Sequence, residues 1–140
     1  MTYTHTITLS LPYAEAVERT RAALADQGFG ILTEIDVTAT FEEKLGAEAA
    51  EAVGDYIILG ACNPGLASKA LAAEPELGAL LPCNVVVRAV GPEQAVVEAL
   101  DPQTMVQLSN SDAVRDVADD ADARLKAALS ALSEGAAAGA

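Results

Sequence analysis

Tyr3 to Ser10 alternate strictly, with Tyr3, His5, Ile7 and Leu9 on one side and Thr4, Thr6, Thr8 and Ser10 on the other. That period of two, carried by strong β formers, predicts a half-buried strand. Pro12 suits a first helical turn. Tyr13, Val17, Thr20 and Leu24 then form the apolar stripe of a helix that Gly28 stops. Alternation resumes from Phe29 to Val37, where Phe29, Ile31, Ile35 and Val37 share a face and Glu34 and Asp36 project from the other. Thr40 and Glu43 have capping-box spacing, so a short helix is expected from about Phe41 to Gly46. Ala47 to Val53 suits a helix or a loop.

Asp55 to Cys62 predicts a third strand, centred on Tyr56-Ile57-Ile58-Leu59. Asn63 is a good N-cap and Pro64 a good first residue for a helix ending at Ala73, before Pro75. After a turn-rich connection over Glu74 to Pro82, Asn84 to Val90 and Gln94 to Leu100 read as strands joined by a hairpin turn at Gly91-Pro92. Asp101-Pro102 breaks the last strand. Ser111 or Asp112 opens a long helix with Val114, Val117, Ala121, Leu125, Ala128 and Leu132 on its buried stripe. The expected design is α+β in two layers: a largely antiparallel sheet with two long helices on one face. Residues 1–134 form the single domain, and 135–140 a low-complexity tail expected to fray.

Composition narrows the function classes. The chain has 140 residues, enough for one domain that folds without metal or disulfide. Its 21 acidic against 8 basic residues give a net charge of −13. That charge repels phosphate backbones and anionic membrane surfaces, so neither nucleic acid nor membrane is an expected partner. No apolar run approaches the ~20 residues of a membrane span. No signal peptide is visible at the N-terminus, so the cytoplasm is the expected compartment. The acid concentrates at Glu42 to Glu51 and Asp112 to Asp122, which reads as solvated helical surface; the stretch from Tyr56 to Asn84 is nearly uncharged.

That uncharged stretch carries the candidate chemistry. Cys62 ends one strand and Cys83 begins another, each followed by Asn. If the strands are antiparallel neighbours, the two sulfurs come near one another beside a helix N-terminus, which favours a thiolate. The candidate site is therefore Cys62, Asn63, Cys83 and Asn84, with Asp36 and Lys44 as further lining residues. A thiol or small-molecule site competes with plain core packing, because Cys is among the most buried residue types. Two cysteines are too few for a closed zinc site, though they suit Cu(I); no metal or other cofactor is assigned. Glu34 and Asp36 form a carboxylate pair that fits acid/base work or, more simply, a solvated face or partners for Lys44. His5, the single histidine, is read as a half-exposed strand residue. Gly28-Phe29-Gly30 follows a helix and precedes a strand, the reverse of a dinucleotide loop. The alternative to a thiol site is a non-enzymatic homo-oligomeric module, such as a homodimer, in which both cysteines are structural.

The segments Gly28 to Val37, Leu59-Gly60-Ala61-Cys62-Asn63-Pro64 and Leu80-Leu81-Pro82-Cys83-Asn84-Val85-Val86-Val87, with Lys44-Leu45-Gly46 and Asp101-Pro102, resemble a prokaryotic family known as domain of unknown function family 302. The resemblance spans Thr6 to Leu132. It implies a β-α-β(4)-α topology with a curved sheet, similar to one repeat of the TATA-binding protein, and no assigned reaction. Topology alone does not carry DNA binding to this chain: Arg88 is the only basic residue between Ala70 and Asn110.

Overall fold

The computed structural model describes residues 2–139. Five strands form one antiparallel sheet in the order β1-β5-β4-β3-β2. They are β1 (Thr4–Leu9), β2 (Gly30–Asp36), β3 (Tyr56–Cys62), β4 (Cys83–Gly91) and β5 (Gln94–Leu100). The long helices α1 (Tyr13–Asp26) and α6 (Asp112–Gly139) cover one face. Between strands lie α2 (Val37–Leu45), α3 (Ala47–Val53), α4 (Pro64–Ala73), a 3-10 turn (Pro75–Leu80) and α5 (Gln103–Leu108). This is the α+β architecture expected from the sequence. Helix α6 continues to Gly139, through most of the segment whose composition suggests a tail; Ala140 lies outside the described residues.

Two apolar clusters hold the layers together. The larger fills the space between the sheet and α1 with the later half of α6, through Leu24, Leu59, Val85, Val97 and Leu125. The smaller packs α4, the 3-10 turn and α5 against the start of α6, through Leu66, Ala70, Leu77, Met105, Val114 and Val117. The stripe read for α6 is buried throughout, at Val114, Val117, Ala121, Leu125, Ala128 and Leu132.

Strand β2 departs from the expected pattern. Ile31 stands opposite Ala61, but Thr33 stands opposite Gly60, so Leu32 is a bulge. One extra residue reverses the facing of everything after it. Ile31 packs against the core, whereas Ile35 pairs with Ile58 on the open face and is 49% exposed. Glu34 and Asp36 turn toward the helix side, where Glu34 bonds Arg21 of α1 and not Lys44.

The helix after β2 also starts earlier than Phe41. The Asp36 carboxylate accepts the Ala39 N–H at 2.9 Å and caps α2, which begins at Val37 and ends at Leu45, followed by Gly46 with a φ of 98°. Thr38 belongs to this helix and ties it to β3: its hydroxyl donates to the Gly54 carbonyl and accepts the Tyr56 N–H. Asp36→Ala should cost about 1 kcal/mol of stability through loss of the cap. Urea unfolding at neutral pH measures it, and Asp36→Asn, whose side-chain oxygen can still accept the Ala39 N–H, should retain most of the wild-type stability.

Candidate functional site

Strands β3 and β4 are antiparallel neighbours, so the end of β3 meets the start of β4. Ala61, not Cys62, stands opposite Cys83, which offsets the cysteines by one residue. Both are free thiols. With Asn63 they border a hollow of about 30 Å³, lined also by Phe29, Leu66, Pro82, Met105 and Val117. This hollow lies where the two apolar clusters meet. Its volume matches a single water's share of liquid, and its lining is almost wholly apolar. Cys83 is buried. Burial, reinforced by Cys62, pushes its thiol up to about 11, so it stays protonated at neutral pH.

Asn63 has a defined local role. Its side-chain oxygen accepts the Leu66 N–H at 3.1 Å, capping α4. Its amide nitrogen lies against Gly28, 3.0 Å from where a Cβ would stand, at a backbone φ of +84°. Asn84 pairs with Gly60 and projects from the open face with Tyr56 and Leu100. Asp36 and Lys44 are not brought to the cysteines. Cys62 stands opposite Gly30, at the far end of β2 from Asp36, about 20 Å away along the strand. Lys44 is exposed in the last turn of α2. Of the six candidates, the structure gathers Cys62, Asn63 and Cys83.

A different set of ionisable groups does converge. His5 in β1, Asp101 after β5 and Asp122 in α6 bring one ligand atom each within 4.8 Å of one another. His5 Nε2 lies 2.6 Å from Asp122 Oδ1 and 3.6 Å from Asp101 Oδ1. Asp122 is not solvated like the other acids of its helix; it is 8% exposed. Burial opposes its ionisation, but hydrogen bonds from Lys126 and His5 outweigh that and hold its carboxyl below the ordinary value. Asp101 Oδ1 accepts the Gln103 N–H at 2.9 Å, the bond that opens α5. The spacing of Asp122 from Ala118 and Leu125, both buried, carried the signal that it faces inward.

The family model for the domain of unknown function DUF302 matches residues 5–132. The chain belongs to the DUF302 family. The crystal structure of an uncharacterised conserved DUF302 protein from Bacillus stearothermophilus is similar, with a TM-score of 0.77 at 27% sequence identity, covering 93% of this chain and 98% of that one. No curated protein matches the chain. DUF302 membership settles the fold and brings no reaction with it. Among the described residues, no helix of this DUF302 chain is long and apolar enough to cross a membrane.

Proposed function

We propose that the protein is a non-enzymatic binding module that pairs with a second copy of itself through the open face of its sheet, with Cys62 and Cys83 in structural roles. The observation that carries this reading is the charge pattern of that face. Thr6, Glu98, Val86, Ile58 and Ile35 form one cross-strand row, opposite in facing to the core residues Val85, Leu59 and Ala99. Its centre is apolar. Arg88 donates to Glu98 at 2.6 Å, so these two charges cancel. A net charge of −13 opposes self-association, and that repulsion is least across a surface whose charges cancel. Arg88, tied to Glu98, also leaves this row no free cation for a phosphate backbone.

The cysteine cavity supports the same reading over thiol chemistry. A nucleophilic or redox thiol needs an accessible thiolate; Cys83, buried and with its thiol pushed up to about 11, does not supply one at neutral pH. A hollow of about 30 Å³ admits no metabolite.

Sedimentation velocity tests the proposal. The wild-type chain should sediment as a dimer at micromolar concentration. Val86→Glu or Ile35→Glu should weaken self-association at least tenfold while leaving the melting temperature of the subunit fold nearly unchanged. A wild-type monomer at high concentration, or a dimer indifferent to both substitutions, overturns it.

A further inference from the structure

We propose that His5, Asp101 and Asp122 hold a divalent transition-metal ion on the helix-covered side of the sheet edge. Three separate elements deliver these groups: the start of β1, the turn after β5 and the middle of α6. Strand alternation aims His5 inward, since it pairs with the core residue Ala99. The side chains are partly screened, at 22%, 24% and 11% exposure for His5, Asp101 and Asp122.

The spacing fits coordination. Ligand atoms about 2.1 Å from a common ion sit roughly 3.0–3.4 Å apart in octahedral or tetrahedral geometry. The two separations from Nε2, 2.6 Å and 3.6 Å, bracket that range, and all three ligand atoms lie within 4.8 Å of one another, so small side-chain shifts admit an ion. The metal takes the place of the proton shared between Nε2 and Asp122, and that proton leaves to solvent or moves to Nδ1. The outer contacts are already placed. Lys126 holds Asp122 through Oδ2 at 2.9 Å, leaving Oδ1 toward the histidine. The Gln103 N–H fixes Asp101. Such second contacts orient metal ligands. One imidazole with two carboxylates suits zinc, manganese or ferrous iron, and three protein ligands leave a position open for water or a small anion. Charge agrees: two carboxylates face a histidine and one largely exposed lysine.

The test uses the intact chain with zinc and manganese chlorides. Calorimetry should give one zinc per chain with micromolar affinity or better. Zinc should shift the imidazole resonances, which belong unambiguously to His5 because the chain has a single histidine. His5→Gln and Asp122→Asn should each weaken binding at least tenfold. Cys62→Ser should change nothing. The wild-type imidazole signal keeps the test meaningful if a substituted chain folds poorly. The proposal is overturned if the imidazole resonances ignore zinc, if binding is weak and non-saturable, or if binding survives His5→Gln but is lost in Cys62→Ser.

Discussion

Gly60→Ala is expected to destabilise the fold by about 1–3 kcal/mol, lowering the thermal midpoint by roughly 3–10 °C. A Cβ at Gly60 would lie 2.1 Å from Thr33 Oγ1 and 2.8 Å from Pro82 Cγ. The cause is local. Gly60 stands opposite Thr33, immediately after the bulge at Leu32, and on its other side opposite Asn84, two residues after Pro82. Two neighbours therefore crowd the space above one Cα. Thr33 is β-branched and has few rotamers to retreat into, and Pro82 is a ring. The missing side chain lets β2 and the entry to β4 close over β3 just before Cys62. Differential scanning calorimetry measures the loss, and Thr33→Ala in the Gly60→Ala background should recover part of it, because only the Pro82 contact remains. A Gly60→Ala chain as stable as the wild type would show that Thr33 and Pro82 yield freely.

The same region separates what the sequence made legible from what it did not. Alternation in β1, the Asn63-Pro64 helix start and the apolar stripe of α6 each rest on local chemistry, and each is present. The facing of Ile35 does not rest on local chemistry. Ile31 and Ile35 keep perfect alternation in the sequence, and only the pairing of Thr33 with Gly60 shows that the phase reverses between them. Val37 reads as a strand residue because it and Thr38 are β formers; the Asp36 cap and the Thr38 bonds to Gly54 and Tyr56 override that propensity and place both in α2. Asp101-Pro102 follow the end of β5 and lead into α5, the Asp101 carboxylate accepting the Gln103 N–H. Cys62 and Cys83 lie at neighbouring ends of β3 and β4 but out of register, because Cys83 stands opposite Ala61, and Asp36 lies at the end of β2 away from Cys62. His5 and Asp122 are 117 residues apart. Each face was readable by periodicity, but their meeting depends on how α6 lies across β1, which no local spacing encodes.

Raising the pH from 8 to 11 should remove about 2–3 kcal/mol of stability through Cys83 alone. The thiol is raised from 9.0 to about 11 by burial first and by Cys62 second. The sign follows from linkage. In the unfolded chain the thiol loses its proton near pH 9, whereas in the fold it keeps it until about 11. Between those values the unfolded state binds fewer protons than the native state, so stability falls as pH rises. The contribution is complete below pH 9 and gone above 11. Tyr13 adds a smaller loss at higher pH, its phenol being pushed up to about 12 by burial, then by Asp36 and Asp55. That group is more exposed, so its share is smaller, and Tyr13→Phe removes it. Urea unfolding under reducing conditions at pH 8, 9, 10 and 10.5 isolates the cysteine. The wild-type curve should fall away from that of Cys83→Ala, which has no thiol to ionise and should hold its stability further into the alkaline range. Parallel curves would mean that Cys83 ionises in the folded chain as readily as in the unfolded one. That would reopen the cavity to thiolate chemistry, because a thiol ionising near pH 9 in place would have to be hydrated or facing a compensating charge.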